Sequence, residues 1–224
     1  MGSHNATRAE LLRSLAEEIP ATGAGFTLVA VDGVDGSGKS TFADALAEEL
    51  GRRGNPVVLI RVDDFHNLRA ERYRLGRDSP AGFWLDSYDY QALRRNVLDP
   101  FGPGGDGRYK AIATDLERDR YVDMEQQQAL PGTIVVVEGM FLHRDELAGR
   151  WNYSVFLDAP FSETASRMAV RDGSPGDPEH PGMRRYVQGQ RLYFQACKPW
   201  LRADRIVDNS DWSRPAVVGS VAGH

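Results

Sequence analysis

The run Gly33-Val34-Asp35-Gly36-Ser37-Gly38-Lys39-Ser40 fits the pattern G-x-x-x-x-G-K-[ST], a spacing suited to holding a phosphate chain. Glycines at these places let several backbone N–H groups converge on one anion. Lys39 would reach the β- and γ-phosphates, and the Ser40 hydroxyl would hold Mg²⁺. Phosphoryl transfer further needs charge neutralisation and a carboxylate to take the proton of the attacking hydroxyl. Asp63 is the first candidate for that base, because it closes the apolar run Val57–Val62, and Asp64 is the second. Glu138 closes Ile134–Val137, where its carboxylate could bind Mg²⁺. Arg167 and Arg171 stand four apart, on one face of a helix. Their planar, permanently charged guanidinium groups suit the charge of a transferring phosphoryl group.

These side chains need a scaffold. Phe26–Val31 reads as a buried strand before the glycine loop, and Thr41–Leu50 reads as a helix behind it. That helix would add the partial positive charge of its N-terminus to the phosphate site. Further strand-like runs are Val57–Val62, Thr133–Val137, Tyr153–Leu157 and Ile206–Val207. Short apolar strands alternating with helices predict a parallel sheet covered on both faces. Ligands of such a sheet collect beyond the C-terminal strand ends. The glycine loop, Asp63-Asp64, Glu138 and Asp158 all fall there.

The periodicity also predicts a helix over 6–18, with Leu11, Leu12, Leu15 and Ile19 on one stripe, ended by Pro20 and Gly23–Gly25. A short helix is expected over Asp89–Leu98 and a hairpin over Arg108–Val122. Helices over 161–172 and 184–197 flank residues 173–182, which hold three prolines and three glycines. The segment 167–190 therefore reads as a lid, with Arg184, Arg185 and Arg191 on its return side. The whole chain, 1–224, reads as one domain.

Composition narrows the function. A net charge of −5 argues against a nucleic-acid groove or an anionic-membrane surface. No run reaches membrane-span length, and Met1–Asn5 has no apolar leader region. One cysteine, Cys197, excludes an internal disulfide and suits a reducing, cytoplasmic setting. The five histidines have no metal-ligand spacing. No N-K-x-D motif occurs, and the Ile134–Val137 strand ends in Glu-Gly, which disfavours a GTPase switch or a mechanical ATPase. The expected partners are ATP and a small-molecule acceptor, with no nucleic acid and no membrane; a homo-oligomer is left open.

Taken in order, the motifs resemble those of the uridine kinase and phosphoribulokinase group of P-loop small-molecule kinases, among them the uridine-kinase-like proteins of high-GC bacteria. The carriers are Val31 through Thr41, Val62-Asp63-Asp64-Phe65-His66, Ser87-Tyr88-Asp89, Val137-Glu138-Gly139-Met140-Phe141, Arg167 through Asp172, and Ala203 through Asn209. The resemblance implies a three-layer α/β fold of the P-loop NTPase type: a five-stranded parallel sheet, helices on both faces and a small lid. It implies MgATP as donor, with Gly33, Asp35, Gly36, Ser37, Gly38, Lys39, Ser40, Thr41, Arg167 and Arg171 around it. Asp63, Lys39 and Arg171 would be catalytic, and Ser40, Asp63 and Glu138 would serve Mg²⁺. The acceptor would meet Asp63, Phe65, His66, Asp86, Tyr88, Asp89 and Tyr109.

The chain also departs from that group. Phe83 stands where uridine kinases place an aspartate on the ribose diol, so Asp86 or Asp89 would substitute. Tyr109 fits the hairpin tyrosine that reads uracil, but Thr114 replaces its histidine partner. Pro175-Gly176-Asp177-Pro178 replaces the lid's Arg-Gly-Arg. The expected activity is ATP-dependent phosphorylation of a metabolite hydroxyl, a nucleoside such as uridine first. Pantothenate, glycerate, a sugar or a sugar phosphate are the alternatives. A regulatory ATP-binding module is the remaining one, opposed by the intact Lys39, Ser40, Asp63 and Glu138.

Overall fold

Alternating side chains on β1 (Thr27–Gly33) set the layers of the molecule. All seven residues of β1 are buried, as expected for a strand covered on both faces. Leu28 and Ala30 join one core, while Val29 and Val31 join another. The computed structural model describes residues 7–21 and 23–221. In it β1 pairs in parallel with β7 (Ile134–Gly139) and β8 (Tyr153–Asp158). β2 (Val57–Arg61) extends the sheet beyond β7, and β9 (Arg205–Asp208) extends it beyond β8. These five strands are the expected parallel sheet. A sixth, β10 (Ala216–Val218), adds antiparallel to β9 at the edge. It has three residues and none is buried, so it lacks the apolar run that marks the others.

One face carries α1 (Arg8–Glu18) and α2 (Lys39–Arg52). Leu15, Phe42, Leu46 and Leu50 pack there on Val29, Val136, Val155 and Leu157. Thr7 caps α1 in a reciprocal box with Glu10. The sequence reading of residues 1–6 lies outside the described residues. The other face is covered by α7 (Arg184–Cys197) and by short helices from the β2–β7 connection. Those are α3 (Arg69–Arg72), α4 (Pro80–Asp86) and α5 (Tyr90–Leu93). Asp89 caps α5 through the Ala92 N–H at 2.8 Å, and residues 94–98 continue it as a wider π turn. The hairpin expected over Arg108–Val122 is two nested ladders that run on to Gln128. β3 (Arg108–Tyr109) pairs with β6 (Gln127–Gln128), and β4 (Thr114–Asp115) pairs with β5 (Arg120–Tyr121).

α6 (Phe161–Asp172) ends on Gly173, whose φ of 75° is left-handed and suits a residue without a Cβ. Residues 173–183 then return the chain to α7. Gly189 lets α7 approach α4 closely, because a Cβ there would lie 2.7 Å from the Phe83 ring and 2.8 Å from the Pro80 carbonyl.

Candidate active site

The C-terminal strand ends deliver the candidate residues to one place. The turn after β1 is the glycine loop, and Lys39 begins α2. Gly38 precedes it at a φ of 90°, and a Cβ on Gly36 would lie 2.6 Å from the Thr164 carbonyl. Both positions therefore need glycine, which brings the loop's backbone against α6. Lys39 is largely buried, and its ammonium donates to the Val34 carbonyl at 2.8 Å. A cavity of about 350 Å³ opens over the loop. Asp35, Gly36, Gly38, Lys39, Ser40 and Thr41 line it from below, and Asp63, Glu138, Met140, Arg167 and Arg171 line it from the sides.

Strand β2 ends at Arg61, so Asp63 and Asp64 lie in the 3-10 turn Val62–Phe65 that follows it and do not close the strand as expected. Their settings differ from each other and from that of Glu138, which lies within β7. Asp63 is exposed to this cavity, and Tyr88 donates its hydroxyl to Asp63 Oδ1 at 2.8 Å. Burial drives the Tyr88 phenol well above the ordinary tyrosine range, and the Asp63 charge adds to that, so the phenol stays a donor. Asp64 does not line the cavity. Burial first, then the Asp63 charge, raises its carboxyl above the usual range. Glu138 is 4 % exposed and accepts from Arg61 Nη1 at 3.0 Å. Arg61 and Glu138 sit level on adjacent parallel strands, which explains the pairing. Arg61 also reaches Asp44 at 2.7 Å.

The arginines play different parts. Arg171 forks Asp172 and approaches Asp35 at 3.4 Å, so it bridges α6 to the glycine loop. Arg167 pairs with Glu163 and donates to the carbonyls of Asn209 and Ser210 at 2.8 and 2.6 Å. Asn209 in turn donates its amide to the Ser37 carbonyl at 2.6 Å, tying the end of β9 to the loop. Arg185 is buried away from the cavity, where it donates to the carbonyls of Arg77 at 2.9 Å and of Arg72 and Ser79 at 3.3 Å. Arg191 pairs with Glu179.

The expected acceptor residues are brought together only in part. Phe65, His66 and Tyr88 cluster with Asp63. His66 donates through Nδ1 to the Asp63 carbonyl at 2.7 Å and packs its ring 4.5 Å from Tyr88. Burial lowers the His66 pKa, so the ring favours its neutral form. Asp86 is buried and paired with Arg74 at 2.9 Å. Asp89 is spent on the α5 cap. Tyr109 packs on Phe101 and donates to Gln127 at 2.7 Å. Thr114 donates to the His66 carbonyl at 2.8 Å.

The residues fit a magnesium nucleotide on donor chemistry. The glycine loop packs on α6 at Gly36, where a Cβ would meet the Thr164 carbonyl, and leaves Gly36, Gly38 and Lys39 lining the cavity. The hydroxyl and carboxylate oxygens of Ser40, Asp63 and Glu138 around one cavity are hard donors of the type magnesium takes.

Comparison with solved structures fixes the architecture. A possible uridine kinase from Bacillus stearothermophilus superposes with a TM-score of 0.69 at 22 % identity, over 89 % of this chain and 96 % of that one. The chain has the fold of the P-loop small-molecule kinases. The D-glycerate 3-kinase of Cryptococcus neoformans shares it with a TM-score of 0.59 at 12 % identity, over 94 % of this chain and 97 % of that one. By sequence, a fission yeast protein described as the uncharacterized kinase mug58 is 31 % identical over 125 residues, 50 % of this chain. The chain spans 45 % of that relative's length. The family model of the methylmalonyl-CoA mutase-associated GTPase MeaB matches residues 1–68. That stretch contains β1, the glycine loop, α2 and β2, the phosphate-holding part that P-loop proteins share. No helix among the described residues is long and apolar enough to cross a membrane.

Three residues have partners at the site that no motif signals: Asp32 beneath the loop, and Gln190 and Tyr193 on α7. Only the apolar stripe of α7 signalled which of its faces turns inward.

Proposed function

We propose that this chain is a kinase that transfers the γ-phosphoryl group of MgATP to a hydroxyl of a small metabolite. The observation that carries the reading is the single cavity shared by the glycine loop, Asp63, Glu138, Arg167 and Arg171. Bound MgATP would supply the transferable group and a metal charge that offsets the phosphates. Lys39 and the loop N–H groups would hold the phosphates, and Ser40, Asp63 and Glu138 would hold the metal. Asp63 takes the acceptor's proton on its carboxylate. Tyr88 orients that carboxylate by holding Oδ1, which leaves Oδ2 to face the acceptor. Arg171 spreads the charge of the transition state. Within 167–190 the connection 173–183 closes over the site to exclude water, since Arg185, Gly189 and Gln190 are packed on α4 and the glycine loop.

A nucleoside such as uridine is the first acceptor that the resemblance suggests. A second reading, a small hydroxy acid or sugar such as glycerate, pantothenate or a sugar phosphate, gains from the geometry. The side chains that would read a ribose diol or a base are engaged internally: Asp86 with Arg74, Asp89 in the α5 cap, Tyr109 with Gln127 and Thr114 with the His66 carbonyl. A coupled assay of ADP release, with MgATP and a panel of nucleosides, hydroxy acids and sugars, tests both. ADP release that depends on one panel member supports the function and names its class. No acceptor-dependent ADP release across the panel overturns it.

A further inference from the structure

Under the glycine loop lies a buried polar cluster that the reaction above leaves unused. Asp32, the residue before Gly33, is fully buried. Its Oδ1 accepts from the Gly33 N–H at 2.7 Å. Its Oδ2 accepts from His143 twice, from Nδ1 at 2.7 Å and from the backbone N–H at 3.2 Å, and from the Tyr193 hydroxyl. A buried carboxylate is tolerated where such donors converge on it. Here they fix the first peptide of the loop. One turn earlier on α7, Gln190 is 1 % exposed, and its Oε1 accepts from the Asp35 N–H at 2.6 Å. Its Nε2 donates to the Tyr186 carbonyl at 3.0 Å, which fixes the amide's orientation. The same helix therefore grips the loop at two points three residues apart.

We infer that α7 is the positioning element of the phosphate loop, with Tyr193 and Gln190 setting the loop's receptive shape through Asp32 and the Asp35 peptide. The inference rests on the nucleotide reading of the cavity. A phosphate cradle works by N–H groups already aimed at the anion, and the Asp32 and Gln190 contacts restrict how the peptides at Gly33 and Asp35 can turn. Neither side chain lines the cavity, so each acts through the loop and not on the ligand.

The test is titration calorimetry of MgADP binding at 15 °C to the full chain and to Tyr193→Phe, Gln190→Met and Phe194→Leu, each with its Tm. Tyr193→Phe removes only the hydroxyl, and Gln190→Met keeps the volume but loses the acceptor. Phe194 packs on Phe156 and Trp200 from the same helix and serves as the control for lost packing. Each of the first two variants is expected to raise the MgADP Kd about tenfold, the size of one charged or well-placed hydrogen bond. Phe194→Leu is expected to lower the Tm and leave the Kd within twofold. A Kd equal to wild type in folded Tyr193→Phe and Gln190→Met would overturn the inference, whatever their Tm. If one variant does not fold, the other decides alone. Wild-type protein that binds no MgADP would instead overturn the nucleotide reading itself, which separates the two failures.

Discussion

Tyr88 holds Asp63: its hydroxyl donates to Oδ1 at 2.8 Å from a buried ring that also packs on His66. The carboxylate in the turn after β2 is thus oriented before any acceptor arrives. Asp63→Asn is expected to lower kcat by roughly 10²–10⁴-fold, the usual weight of a general base. Tyr88→Phe should lower it less, because the carboxylate remains. Steady-state ADP release resolves the order, and equal losses in the two variants would contradict it.

Lys39→Ala is expected to cut phosphoryl transfer by at least about 10²-fold, the scale of removing one preorganised charge stabiliser. The ammonium's contact in this structure is a loop carbonyl, Val34, so the Tm should stay close to wild type. Single-turnover transfer and calorimetry together check this, and near-normal transfer would refute the site.

Asp64→Asn should separate stability from chemistry. Burial, then the Asp63 charge, raises the Asp64 carboxyl above its ordinary value. Such a group holds its proton more tightly folded than unfolded, so its ionisation opposes folding as pH rises through the folded pKa. The variant should therefore gain Tm at pH 7 and lose that gain as pH falls below the ordinary value of 3.8. Calorimetry across that range reads the sign directly, and a Tm loss at pH 7 would contradict it.

Residues 173–182 join α6 to α7 with three prolines and three glycines, and most are exposed. Hydrogen exchange there should slow when a nonhydrolysable MgATP analogue saturates the protein. Unchanged exchange across 165–190 would remove the lid from the proposal.

Gly189→Ala should cost about 1–3 kcal/mol, the range for forcing a group into a filled core, since its new Cβ would meet Phe83 and Pro80. Urea unfolding measures it.

The parallel sheet was legible because its strands are continuous apolar runs with no competing period, and α7 was legible to its ends, 184–197. β10 was not, since three residues without a buried face carry no pattern. The π turn after α5 spans five residues, too few to show a period that differs from that of an α-helix. At the site, the glycine loop could be read because its chemistry lies in consecutive residues. The partners of Asp32 lie 111 and 161 residues away, and the Asp86–Arg74 pairing depends on how two short helices fold back. Such contacts follow from packing, which one sequence does not print.

The contact at Gly189 has a mechanical consequence. With backbone against ring and no side chain between them, α4 and α7 have no room to slide past each other, and Arg185 fastens the preceding turns to the same helix. The two helices form one block, and α7 holds that block to the glycine loop through Gln190 and Tyr193. Bending is left to the turns that lead into it, at Gly76 before α4 and at Gly173 where α6 ends, whose positive φ values of 98° and 75° already turn the chain.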